Sequence, residues 1–202
     1  MENFSILNIQ KRLASHKASS CARNVQTREA AVAIVLREKA KLIEILFIKR
    51  AQKFGDPWSG DMAFPGGHKE NEDVSLADTA MRETLEETGL KLRQQDLIGS
   101  LSERQAIPRR HSTTLLIAPY IFHIKKDFIF EPNAEVDEIV WVPMQPMING
   151  ALHAKERRSA GTKDPSYNGY RASPEHFIWG LTYRTLQTLF GVIAPDYVSP
   201  GD

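Results

Sequence analysis

Two runs along the chain, AAVAIVLR (30–37) and KLIEILFIKR (41–50), are rich in Val, Ile and Leu and flank a short polar connection, which predicts a β-hairpin. The next segment, AQKFGDPWSGDM (51–62), carries two glycines and a proline and reads as a shaped loop. AFPGGHKENED (63–73) is a short apolar step into a second loop. From 74 to 88 the apolar spacing becomes helical. At about 100° per residue, Val74, Ala77, Ala80, Met81, Thr84, Leu85 and Thr88 share one broad arc, the expected packing face. Glu83, Glu86 and Glu87 fall on a neighbouring arc and are expected to face outward, and Gly89 is the expected stop. Further strands are predicted at 97–102, 114–124 and 136–142. The stretch 150–176 is long and polar and predicts a surface excursion. Residues 176–193 predict a C-terminal helix, with Ile178, Leu181, Leu186 and Leu189 among its apolar positions. Near the N-terminus, Ile6, Ile9 and Leu13 suit a short amphipathic helix. The expected organisation is a helical extension (1–27), one domain including the C-terminal helix (28–193) and a tail (194–202). Strands mixed with few helices imply α+β or a three-layer α/β sandwich.

Composition narrows the partners. At 202 residues the chain is long enough for one domain with a real core. The formal net charge of +1 advertises neither a nucleic acid polymer nor a membrane surface, so a polyanionic substrate would have to be held by local groups or a metal. The single cysteine, Cys21, excludes an internal disulfide and suits a reducing compartment, read as the cytoplasm; it has no paired His context and receives no catalytic role. No run approaches the ~18 apolar residues of a membrane span, and the basic N-terminus lacks the apolar core of a secretory signal.

The chemistry concentrates in MRETLEETGL (81–90). Glutamates at 83, 86 and 87 have i, i+3 and i+4 spacing, so they repel one another unless water screens them or a cation sits between them. A solvated helix face is the ordinary explanation. The context favours the cation: Gly66-Gly67 upstream, Thr88-Gly89-Leu90 at the helix end, and Arg82 placed to brace a carboxylate by a bidentate contact. Hard divalent cations such as Mg²⁺ take oxygen ligands, which a carboxylate cluster supplies.

At these residues the sequence resembles the Nudix hydrolases, whose signature is G-x5-E-x7-R-E-U-x-E-E-x-G-U with U aliphatic. RETLEETGL (82–90) matches its second half, with Thr84 at an aliphatic position. Fourteen residues, 68–81, separate Gly67 from Arg82 where the pattern has thirteen, so Glu70, Glu72 and Asp73 all remain candidates for the first acid. The likeness implies an α/β/α sandwich with a mixed sheet and a loop–helix–loop metal site. It implies Mg²⁺ or Mn²⁺ on Glu83 and Glu87, with Glu86 as an added ligand and catalytic group. Arg82 then braces the site, and a backbone carbonyl of the Gly66–Gly67 pair, assigned to Gly67, completes the set. The implied reaction is hydrolysis of a phosphoanhydride in a nucleoside diphosphate linked to another moiety, with a small-molecule nucleotide as partner and room for a homodimer. Family members often draw a further acid from a loop outside the box. Glu135 and Glu138 in NAEVDEIVWVP (133–143) are the candidates, and Glu135 is favoured because it lies farther from the strand core.

The segment LFIKRAQKFGDPWSGDMAFPGG (46–67) is similar to the one preceding the box in coenzyme A pyrophosphatases, through Arg50-Ala51 and Gly60-x3-Phe64-Pro65-Gly66-Gly67, and IWGLT (178–182) also suits that subgroup. Asp56, however, stands where that pattern has its second arginine, an acid where a phosphate-holding cation is wanted. Arg50, Trp58, Phe64 and Arg109 are the candidate substrate contacts. Trp58 either stacks on a base or plugs its loop against the core. Arg109, Arg110 and His111 form a basic step that either meets phosphates or is a solvated turn. Trp179 is expected in the core, while Tyr167, Tyr170 and Arg171 could line a pocket. The alternative to an enzyme is a Nudix-fold nucleotide-binding or regulatory module without turnover, which has little need of all three box glutamates.

Overall fold

A computed structural model describes residues 4–55, 58–106, 114–158 and 165–200. The chain opens with helix α1 (Ile6–Ser15), capped by the Ser5 side chain, and Ile6, Ile9 and Leu13 are all buried. Strands β1 (Arg28–Lys39) and β2 (Leu42–Arg50) form the expected hairpin, with Leu36 opposite Ile45 and Lys39 opposite Leu42. Its two-residue turn puts both Ala40 and Lys41 at positive φ, as the twist of a tight hairpin requires.

Strands β3 (Met62–Ala63) and β4 (Gly66–His68) follow, then helix α2 (Leu76–Thr88). Strands β5 (Leu97–Ser100), β6 (Arg104–Ala106), β7 (Leu115–Ile124) and β8 (Val136–Pro143) lead to the short helix α3 (Met144–Ile148). Then come β9 (His153–Arg157), β10 (Ser166–Ser173), β11 (His176–Trp179) and helix α4 (Gly180–Ile193).

Among the described residues, β1–β8 make one eight-stranded mixed sheet with the path β3-β2-β1-β7-β5; β4 pairs with β1, β6 with β7 and β8 with β2. The β1–β7 pairing is parallel and the others are antiparallel. Side chains of β1 alternate between two cores. Ala31, Ala33 and Val35 join Leu76, Ala80, Leu90 and Leu92 on the α2 face. Ile34 and Leu36 join Ile9, Leu13, Leu186 and Leu189 on the α1–α4 face. A strand covered on both faces needs apolar residues at consecutive positions, which explains the run AAVAIVLR. Helices on both sides of a mixed sheet make the α/β/α sandwich. Among the described residues no helix is long and apolar enough to cross a membrane.

Several expected boundaries change. Ser75 caps α2 by accepting from the Asp78 amide, so the helix starts at Leu76 and leaves Val74 outside it, 91% exposed. Leu85, expected on the packing face, is also exposed, whereas Glu87, expected to face outward, is buried. The sheet covers the Thr84–Glu87–Thr88 flank of the helix, and the wheel alone does not reveal which flank is covered. Thr84 fits there because its hydroxyl donates to the Ala80 carbonyl.

The segment 150–176 is not simply a surface excursion. Its described residues form β9 and β10, which with β11 make a separate three-stranded sheet. Tyr170 is fully buried at the centre of β10, beside buried Gly169, while Ser166 at the strand start is exposed. The C-terminal helix is also shorter than 176–193. HFIW pairs with β10 as β11, and Gly180 at φ 61 directly follows that strand as the first residue of α4.

Candidate active site

The site is built where β4 passes beneath α2. Gly66 has φ 158, and a side chain there would collide with the Ala31 carbonyl oxygen. A side chain at Gly67 would collide with the Glu83 carboxylate. Glycine therefore brings the β4 backbone directly against the acids of α2. The Gly66 amide donates to Glu87 Oε2 at 2.9 Å.

Glu87 is only 3% exposed. Burial pushes its carboxyl up to about 8; the Gly66 N–H and Arg50 pull it down, while the Glu83 and Glu135 charges push it further up. Burial also raises Glu83, partly offset by Arg82. Arg82 Nη1 donates to Glu83 Oε1 at 3.1 Å and to Glu86 Oε2 at 3.2 Å. Glu86 is half-exposed and lies close enough to raise Glu83.

The other edge of the Arg82 guanidinium settles the first box acid. Nε and Nη2 each donate to Asp73 at 3.0 Å, and Nη2 also reaches the His68 carbonyl at 2.9 Å. Asp73 additionally accepts from the Glu70 amide and the Thr79 hydroxyl, both at 2.9 Å. Arg82 is the main cause that holds its carboxyl down at about 2. Glu70 stays 3.9 Å from Arg82 and Glu72 is exposed, so Asp73 fills the position. Breaking this buried pair leaves Arg82 without its main partner. Asp73→Ala is expected to cost about 3 kcal/mol of stability, in the range for losing one member of a buried pair. Urea unfolding with a free-energy loss under about 1 kcal/mol would show the pair to be no stronger than a surface one.

The donor set fits a divalent cation. A buried carboxylate, Glu87, and a partly buried one, Glu83, are both pushed toward the neutral form, against a backbone that has no side chain to intervene. Among the described residues, no three His, Cys, Asp or Glu side chains converge to hold a metal by themselves. Mg²⁺ does not require that: it is commonly held by one or two carboxylates, with water and substrate phosphates completing six ligands.

Arg50 ends β2, and its charge reaches Glu87. Glu135 stands at the rim. Its carbonyl accepts from the Ala51 amide at 2.9 Å, and its carboxylate is 61% exposed, 3.9 Å from Lys53 Nζ. Glu138 is committed elsewhere, with Oε2 2.8 Å from His176 Nε2.

The other expected contacts differ in their burial. Phe64 is buried in the core and stacked on Phe47 with ring centroids 5.1 Å apart. Trp58 is 56% exposed and does not plug its loop against the core. Trp179 is partly buried rather than core, and its Nε1 donates to Asp61 Oδ1 at 2.9 Å. Tyr170 is sealed in the core against Tyr183 and lines no open pocket; Arg171 pairs with Glu156. Asp56, Arg109, Arg110 and His111 lie outside the described residues. Asp61 had no role in the sequence reading. Its burial depends on residues about a hundred positions downstream, and no local spacing signals that.

The sequence profile of the NUDIX domain matches residues 26–161. An uncharacterised protein of Schizosaccharomyces pombe is 34% identical over 113 residues, 52% of this chain and 33% of that protein, so the chain spans about a third of that relative's length. The mouse peroxisomal coenzyme A diphosphatase NUDT7 is 24% identical over 166 residues, 81% of this chain and 67% of that one. A MutT/nudix family protein from Enterococcus faecalis shares the fold, with a TM-score of 0.60 at 15% identity over 95% of this chain and 70% of that chain. With a domain match over more than half its length and the box acids gathered beneath α2, the chain belongs to the NUDIX domain family.

Proposed function

We propose that the chain is a divalent-metal-dependent hydrolase that cleaves the phosphoanhydride bond of a nucleoside diphosphate linked to another moiety. The observation that carries this reading is Glu87, a buried carboxyl pushed up to about 8 beside the raised Glu83. Such a pair costs stability unless a cation shares it. Mg²⁺ or Mn²⁺ on Glu83 and Glu87, with Glu86 and the Gly67 carbonyl as further ligands, would supply charge neutralisation of the diphosphate and acidification of the attacking water. Arg82 braces Glu83 and Glu86 through its Asp73-anchored guanidinium. Arg50 faces the diphosphate from the end of β2. Glu135 takes the proton of the attacking water at the rim. We place the enzyme in the cytoplasm on composition alone.

The relationship to a coenzyme A diphosphatase supports an adenine nucleotide with a diphosphate core. Asp56, in place of the subgroup's arginine, argues against a dedicated grip on a 3′-phosphate, because a carboxylate repels it. The test is a substrate panel with Mg²⁺ and Mn²⁺: coenzyme A, 3′-dephospho-coenzyme A, ADP-ribose and dinucleotide polyphosphates, with products identified. The expected result is metal-dependent release of a nucleotide, with kcat/KM for coenzyme A within about tenfold of its dephospho form. A larger preference for coenzyme A would remove the Asp56 argument. Absence of turnover across the panel would leave a binding module instead of an enzyme.

A further inference from the structure

A partly buried acid, Asp61, lies ahead of the box, and the proposed chemistry does not use it. Asp61 Oδ1 accepts from Arg158 Nη1 at 2.7 Å and from Trp179 Nε1 at 2.9 Å, both donors coming from the second sheet and the segment that follows β9. The Arg158 guanidinium lies over the Trp179 ring at 4.9 Å and over Phe177 at 5.4 Å, and Tyr167 packs on Trp179 with centroids 4.8 Å apart. Burial raises the Asp61 carboxyl, while Trp179, Arg158 and Arg50 favour its charged form.

The backbone of Asp61 leads to the active site. Its carbonyl accepts from the Arg50 amide at 3.0 Å, and the Gly60 amide donates to the Arg50 carbonyl at 3.0 Å. The following residue, Ala51, is bonded to the Glu135 carbonyl. Arg50 is thus the backbone neighbour of Asp61, and its charge favours the ionised form of both Asp61 and Glu87. Glu87 belongs to the cation site; Asp61 is locked to the second sheet.

We propose that Asp61 is a latent competitor for the Arg50 guanidinium, held off by its bonds to Arg158 and Trp179, so that the second sheet tunes the affinity for the substrate's diphosphate. A buried carboxylate stripped of one partner recruits the nearest remaining cation. While Arg158 neutralises Asp61, Arg50 is directed toward the phosphates. Without Arg158, Asp61 competes with the phosphates for Arg50. This inference rests on the reading that Arg50 faces the diphosphate.

The test measures affinity for α,β-methylene-ADP in Mg²⁺ by calorimetry, beside kinetics on the substrate panel. Arg158→Gln is expected to weaken binding and raise KM about tenfold while kcat stays within about threefold, the signature of lost uniform binding. Arg158→Lys, which keeps the charge, stays within about threefold of wild type in affinity. The double variant Asp61→Asn/Arg158→Gln removes the competing carboxylate and returns to within about threefold of wild type, a non-additivity expected only of coupled residues. Trp179→Phe deletes the other donor and weakens binding in the same direction, which serves if Arg158→Gln does not fold. Wild-type affinity in Arg158→Gln would overturn the proposal, as would a double variant no better than the single one, the result for a merely structural pin. Failure of the wild type to bind the probe would also overturn it. If the affinity pattern holds but the wild type turns over nothing on the panel, the hydrolase reading fails and this inference stands.

Discussion

Glu87→Gln is expected to lose turnover by at least about 10²–10³-fold, the cost of deleting one group that stabilises transition-state charge, while the metal-free protein becomes no less stable. Both halves follow from one environment. Glu87 is buried, accepts from the Gly66 amide and has its carboxyl raised from 4.5 to about 8. The folded state therefore holds a proton that the unfolded state has released. The stability this contributes is fully present below about 4.5 and is lost as pH rises through about 8. Gln keeps the shape and an acceptor for Gly66 but carries no charge to desolvate, so above pH ~8 the metal-free variant should melt no lower than wild type. A cation takes the ionised carboxylate, so Mn²⁺ should raise the wild-type melting temperature more at high pH than at pH ~6. The variant should show little of that gain. Melting in EDTA and in Mn²⁺ at both pH values, with turnover at saturating Mg²⁺, checks every part. Wild-type rates in the variant would remove Glu87 from the mechanism.

How far sequence alone leads depends on the range of the interactions involved. The β1–β2 hairpin, α2 and its Gly89 stop follow from local period and turn chemistry, and all three form, with α2 starting at Leu76 instead of Val74. The acids of α2 are recognisable by spacing alone. Their burial is not, because the wheel gives angles between side chains and not the flank that the sheet covers. Glu87 therefore looked solvent-facing and proved to be the most buried acid of the box. The first acid was ambiguous for a related reason. Counting through 68–73 fails by one residue, and only the guanidinium geometry of Arg82 selects Asp73. The second sheet was hidden because polar residues dominate β9 and β10, so no apolar run marks them as strands. Phe64 was a candidate substrate contact through the subgroup pattern, and its stacking on Phe47 is a tertiary fact that the pattern does not carry.

Glu135→Gln is expected to lower turnover by about 10²–10⁴-fold, the usual cost of losing a general base, with Glu138→Gln near wild type. The two acids are three residues apart, and their surroundings separate them. Glu135 lies in the turn before β8, where Asn133 Oδ1 accepts from its amide and its carbonyl ties down Ala51, next to Arg50. Its carboxylate is accessible, and its charge is among those that raise Glu87. A carboxylate in this position stands at the rim of the cation site and is open to solvent. Glu138 lies within β8, opposite Lys49, and its carboxylate is held by His176 Nε2, whose other ring nitrogen is 2.9 Å from Ser173 Oγ. That chain fixes the second sheet to the main one, so loss of Glu138 should appear in melting temperature before it appears in rate. The lysine near Glu135 gives a control. At 3.9 Å and largely exposed, the Lys53–Glu135 pair is weak, so Lys53→Gln should change the rate by no more than about threefold. Rate and melting temperature of the three variants decide the assignment. A large rate loss in Glu138→Gln with Glu135→Gln unchanged would move the base to β8, and wild-type rates in both would take this turn out of the reaction.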